Sequence, residues 1–180
     1  MKRRTSNLTR FLKNKANCFI SFNDPLFILK LDKIIEQKER DGYISFENVP
    51  IKAKILSVVN FKKEIPFVIR KGKLVKIYSD HNVDGVIIKK VLTNIFINPI
   101  AIIKDESISK LHERVTYNFV SRFYKNKKPY YVIIELDGFC DFEYIKANII
   151  KTIYDKKDYN KLIEKIIKKE KAGQSLLYLE

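Results

Sequence analysis

Cysteine is almost absent from this chain: Cys18 and Cys140 are the only two, far apart and without CxxC spacing. That leaves neither a zinc ribbon nor a disulfide framework, and two lone thiols suit a reducing compartment. Glycine and proline are equally scarce, five of each, which excludes a low-complexity or linker protein. No apolar run reaches the ~18 residues that a membrane-spanning helix needs. Met1-Lys2-Arg3-Arg4 starts like a secretory leader, but Thr5 to Asn17 is polar and supplies no apolar core for one. The chain therefore reads as soluble and cytoplasmic, with no membrane partner. Also missing are a glycine-rich phosphate loop, HExxH and GxSxG. Asp80, Asp84 and Asp137 are spaced like no known metal cluster, so neither a metal nor a cofactor is expected.

What the chain has in excess is positive charge. Its 180 residues carry 36 Lys+Arg against 21 Asp+Glu, a formal net charge of +15. Lysine dominates, alongside abundant Ile, Asn, Tyr and Phe, a mix that an AT-rich genome also produces. A surface of this sign attracts polyanions, nucleic acid above all. The 46% hydrophobic fraction is ample for one core. Only two histidines occur, His81 and His112, and histidine is the side chain most readily tuned to move protons near neutral pH. Together these features point to acid-base chemistry on a phosphodiester.

The pattern along the chain predicts an α+β domain: N-terminal helices, then a mostly antiparallel sheet with a C-terminal helix and a final short strand. Residues 1–45 read as a basic helical appendage, and 46–180 as the main domain. Asn23-Asp24-Pro25 opens a helix through Leu26, Leu29, Leu31 and Ile34-Ile35 that stops at Asp41-Gly42. Tyr43 to Phe46 and Ile65 to Ile69 read as strands, the latter closed by a Lys71-Gly72-Lys73 turn; Pro50 to Val59 is ambiguous. A helical turn from Leu74 leads to His81, placed at the start of a helix spanning Val83 to Phe96. Ile100 to Lys104, Val115 to Ser121 and Tyr130 to Leu136 read as strands, with a loop at Asp137-Gly138. Phe142 to Tyr154 then offers one apolar face, with Ile145, Ala147, Ile149 and Ile153. Its other face carries Tyr144, Lys146, Asn148, Thr152 and Tyr154. Asp158 caps a helix with an apolar stripe at Leu162, Ile163, Ile166 and Ile167, and Ser175 to Leu179 is the last strand.

From about Lys54 onward, an ordered set of short motifs accompanies this pattern. They are Ile65-Pro66-Phe67-Val68-Ile69, Lys76 with His81-Asn82, Asn98-Pro99-Ile100-Ala101-Ile102 and Pro129 to Leu136. Asn148-Ile149-Ile150-Lys151-Thr152-Ile153-Tyr154 and Leu176-Leu177-Tyr178 complete it. In this order they resemble the phage-type branch of the barnase–EndoU–colicin E5/D–RelE-like (BECR) superfamily of nucleases. Thr152 stands where that branch usually has serine, the segment Asp105 to Arg114 is longer than its usual connection, and residues 1–45 have no counterpart. The resemblance implies a barnase/RelE-like fold and a metal-independent endoribonuclease, a toxin of phage or mobile-element origin. It implies cleavage by transesterification to a 2′,3′-cyclic phosphate. It also implies RNA as partner, with a cognate acidic inhibitor or immunity protein, and action in the cytoplasm of the producing or a target cell.

On this reading His81 is the catalytic acid or base, and Lys76 stabilises the charge of the phosphorane. Thr152 and Tyr154, two apart on a strand, supply hydroxyls to the phosphate and a ring to stack on a base. Asn148, Lys151 and Gln174 are RNA-binding candidates. His112, with Glu113 and Arg114, is the alternative acid-base set. The alternative function is a non-catalytic, basic nucleic-acid-binding accessory protein of a phage or plasmid.

Overall fold

Twelve elements follow one another in the computed structural model, and in the N-terminal half strands and helices alternate. They are β1 (Cys18–Ser21), α1 (Phe27–Glu36), β2 (Tyr43–Glu47), α2 (Ala53–Val58), β3 (Phe67–Arg70), α3 (Lys71–His81) and α4 (Gly85–Ile95). Then come β4 (Ala101–Asp105), β5 (Val115–Lys125), β6 (Lys128–Phe142), β7 (Ile145–Lys156) and β8 (Gln174–Leu179). The structure describes residues 18–38, 40–59, 66–81, 83–105, 115–125, 127–142, 145–156, 158, 160–161, 163–164, 168 and 174–179. The eight strands form one mixed sheet in the order β1-β2-β3-β7-β6-β5-β4-β8. β1–β2 and β3–β7 are parallel, and the other pairings are antiparallel.

The fold is therefore α+β, as expected, with two corrections. Helices do not precede the sheet; they alternate with its first three strands. Residues 18–45 are also no appendage. β1 pairs with β2, and Ile20, Phe27, Leu31 and Ile34 join the same buried cluster as Leu74, Val91 and Phe119. The apolar stripe of α1 is long enough to cover a sheet, and burying it there removes more surface from water than a solvated arm would. Residues 1–17 of the expected appendage lie outside the described residues.

Three boundaries differ from the sequence pattern for local reasons. Lys71-Gly72-Lys73 is the first turn of α3, not a closing turn. Gly72 donates its N–H to the Arg40 carbonyl at 3.1 Å, and a Cβ there would sit 3.2 Å from that oxygen, so glycine serves a close backbone approach inside a helix. His81 consequently ends α3 rather than starting the next helix. α4 starts instead with Asp84 as its cap, whose carboxylate accepts from the Ile87 N–H at 2.8 Å. Asp137-Gly138 is not a loop either; β6 runs through it, with an irregularity in its pairing between Asp137 and Cys140.

The sheet has two distinct faces. One is covered by helices: Phe67, Ile69, Phe119, Val132, Ile134, Leu136, Ile150 and Ile153 pack there with residues of α1, α3 and α4. The other carries a smaller apolar cluster of Ile100, Ala101, Ile103, Val120, Tyr131 and Ile133, against which Tyr154, Ile163 and Leu176 pack. Ile163 belongs to the C-terminal helical segment. Asp158 caps it by accepting from the Lys161 N–H at 3.1 Å, and Lys161, Ile163, Glu164 and Lys168 are helical. The other residues of its expected stripe lie outside the described ones.

Candidate functional site

The second face of the sheet changes character along its strands. At one end it is the apolar cluster just described. One cross-strand row further on it becomes polar, because Asn118 faces Glu135 and Glu135 faces Thr152. In the following row Thr116 faces Asp137. Thr116 donates its hydroxyl to Asp137 Oδ1 at 2.7 Å. The Lys151 ammonium lies 2.8 Å from Glu135 Oε1 and 3.7 Å from Asp137 Oδ1. Asp137 is almost fully buried, and a buried carboxylate requires hydrogen bonds or a counter-charge; Thr116 and Lys151 supply one of each.

A β-bulge brings Lys151 here. Glu135 pairs with Thr152 but Leu136 pairs with Ile150, so Lys151 is an extra residue in β7. The insertion also changes which residues share a face. Before it, Ile150 lies on the helix-covered face; after it, Ile153 does. Strict alternation therefore fails across the bulge. Asn148 sits on the helix-covered side with Ile150, not beside Thr152 and Tyr154. It pairs with Phe67, its N–H bonds the Pro66 carbonyl at 2.9 Å, and it is fully buried, out of reach of a ligand at the surface. Ala147 and Ile149, both expected on the apolar side with Ile153, instead lie with Val68 on the second face.

His81 reaches this region from α3. β3 and β7 are paired only over Phe67–Val68 and Asn148–Ile149. Beyond that point the chain of β3 turns into α3, which packs along β7. Its last residue, His81, is partly exposed and lies with its ring centroid 6.2 Å from that of Tyr154, at an interplanar angle of 51°. Tyr154 is partly buried, facing Ile133 across the strands. Burial, then the nearby charge of Glu135, raises its phenol pKa above the ordinary value, so Tyr154 stays a neutral hydroxyl. For Lys151, burial alone lowers the pKa, but the hydrogen bond and charge of Glu135 and then the charge of Asp137 more than offset it. Its ammonium is held charged.

The structure thus brings His81, Tyr154, Thr152 and Lys151 to one region, where the side chains of all four are partly exposed. It does not bring Lys76 there. Lys76 is exposed and pairs with Asp80 at 3.9 Å; it lies five residues from His81, about 140° around the helix axis. Gln174 begins β8 and pairs with Asp105, which pairs with Thr116, so it lies three strands away from β6. His112 lies outside the described residues. Sequence reasoning missed Glu135. It is the one carboxylate in a strand read as a continuous apolar run, and its spacing of two from Asp137 was the available signal.

Among the described residues no group of three or more His, Cys, Asp or Glu is arranged to hold a metal ion, and no helix is long and apolar enough to cross a membrane. Comparison with family models, with curated proteins and with solved structures gives no match.

Proposed function

We propose that this chain is a metal-independent endoribonuclease with a barnase/RelE-like arrangement, acting by transesterification. The observation that carries the reading is the approach of His81 to Tyr154 beside the Glu135–Lys151 pair. It supplies an imidazole, a carboxylate, a cation and neutral hydroxyls in one partly exposed region. Such chemistry needs a base to take the 2′-hydroxyl proton and an acid to protonate the departing 5′-oxygen. Glu135 suits the first role and His81 the second. The proton lost by the 2′-oxygen resides on the carboxylate, that oxygen attacks phosphorus, and the 5′-oxygen leaves as a hydroxyl with the histidine proton. Lys151 and the Thr152 hydroxyl serve the non-bridging oxygens, where negative charge grows. Tyr154 contributes a neutral donor and a ring for stacking on a base. Asp137, tied to Thr116, holds Lys151 from behind.

The excess of positive charge supports RNA as substrate, and it suits restraint by an acidic inhibitor. Incubating the purified protein with total RNA in excess chelator tests the reading. Fragments ending in 2′,3′-cyclic phosphate are expected. Cleavage that needs added magnesium or manganese assigns the chain to another nuclease class. RNA bound but left intact assigns it to the non-catalytic nucleic-acid binders.

A further inference from the structure

A groove of about 300 Å³ lies on a different flank of α3 from His81, lined by Arg40, Gly72, Val75, Lys76, Ser79 and Asp80. Five of these six residues lie at helical spacing on one stripe of α3. Arg40 comes from the turn before β2, and two backbone bonds pin that turn to the helix: Lys71 N–H to the Gly42 carbonyl and Gly72 N–H to the Arg40 carbonyl, both 3.1 Å. The missing side chain of Gly72 lets the two segments approach this closely. The groove is therefore built by the fold.

We infer that this groove is a nucleotide subsite of the proposed ribonuclease, holding the RNA strand a short way along from the reacting phosphate. The inference rests on the ribonuclease reading for its setting and on the groove for its chemistry. Arg40 and Lys76 are two cations on a surface-open cavity, the arrangement that takes a phosphodiester, with guanidinium as a planar fork and ammonium as a point charge. Asp80 faces the same space. Its charge is partly met by Lys76 at 3.9 Å and by the Ser79 hydroxyl, which approaches its Oδ1 at 2.9 Å. A carboxylate so placed accepts from a base amino group, giving the groove an end for the base as well as one for the phosphate. The volume is at the small end for ligand sites and matches a single nucleotide unit rather than a helix of paired RNA. Lys76 and His81 are separated by about 7.5 Å along the axis of α3 and by about 140° around it, so a strand wrapping the C-terminal turn of α3 reaches from one flank to the other.

Two measurements test this. The first compares kcat/KM for a dinucleotide and a hexanucleotide of the same cleavable step. The hexanucleotide is expected to be better by about tenfold or more, a difference of ~1.4 kcal/mol. That ratio should collapse toward one in Arg40→Ala/Lys76→Ala; a ratio that survives the double substitution overturns the subsite. The second measures fluorescence anisotropy with a labelled 2′-O-methyl hexanucleotide, which has no attacking hydroxyl. Arg40→Ala/Lys76→Ala should weaken binding about tenfold, whereas Lys33→Ala/Lys90→Ala, which removes equal charge from exposed positions of α1 and α4, should weaken it about twofold or less. Equal losses would reduce the groove to general electrostatic attraction and overturn the proposal. Should no RNA be cleaved, the catalytic reading falls, and the binding comparison still decides the groove.

Discussion

The two faces of the central sheet are built from the same strands, yet one is a core and the other changes from apolar to polar within two residues. On the helix-covered face Phe119, Ile134 and Ile153 succeed one another across β5, β6 and β7 without a polar interruption. On the second face Val120, Ile133 and Tyr154 form an apolar row, and the adjacent row is Asn118, Glu135 and Thr152. The sheet period of two places both rows on a rigid support. The difference shows how one sheet can hold charged and hydroxyl groups on a rigid support. Four helices cover the strands from one side, and the other side is free to carry charge where its apolar cluster ends.

If that division of labour is right, substitutions on the two faces should fail differently. The largest effect is expected at His81. His81→Ala should reduce RNA cleavage by ~10²–10⁴-fold while RNA affinity and the unfolding midpoint stay near those of the wild type, as read by single-turnover kinetics and urea denaturation. Glu135→Gln, which keeps shape and deletes charge, should act in the same direction. Cleavage that survives both changes in well-folded protein would remove the chemical role of the second face.

Next comes the covered face. Phe119 is fully buried and meets Phe96 edge-on with centroids 5.0 Å apart. Phe119→Ala should cost ~3–5 kcal/mol of stability, measured by denaturant midpoint. A loss below ~1 kcal/mol would mean that the helices do not seal this face.

A smaller effect is expected where the helices meet one another. Tyr78 donates its hydroxyl to Asp32 Oδ1 at 3.1 Å. A Cβ on Gly85 would lie 2.7 Å from the Tyr78 hydroxyl and 2.8 Å from that carboxylate oxygen. Gly85→Ala should therefore destabilise by ~1–3 kcal/mol and leave the sheet's second face untouched. Unchanged thermal stability would show that this junction yields easily.

The smallest effect concerns alkaline pH. Burial alone lowers the Lys151 pKa, but the Glu135 and Asp137 carboxylates outweigh it, so folding raises it above the ordinary lysine value. The corresponding stabilisation is complete below the unfolded value and is lost as pH rises through the folded one. Wild-type protein should lose slightly more stability above about pH 10.5 than Lys151→Met. Parallel curves from pH 9 upward would show that the Glu135–Lys151–Asp137 contacts carry no net linkage.

Much of this division was legible in the sequence, and the exceptions have physical causes. The apolar spacing of Val91, Leu92 and Ile95 and the alternation of Tyr117 and Phe119 report burial directly, so α4 and β5 were readable. The pairing of His81 with Tyr154 was readable only as two members of one motif set, because α3 follows β3 and packs along β7 through tertiary contacts. Glu135 was hidden by its apolar neighbours. The site of the bulge was not readable at all, since nothing in Ile149-Ile150-Lys151-Thr152 marks one residue as extra. That omission moved Ala147, Asn148 and Ile149 to the wrong faces.

The bulge has a further consequence for how this surface can change. Because Lys151 is the unpaired residue, removing its codon would leave Ile150 and Thr152 as neighbours in a regular ladder. Ile150 and Ile153 would keep their core contacts, and Thr152 and Tyr154 would keep theirs. In the ladder the cation is an extra residue, not a substitute for a paired one. A one-residue deletion would erase it while every apolar side chain of β7 stays where it is, so charge on this face can be gained or lost in a single step without rebuilding the strand.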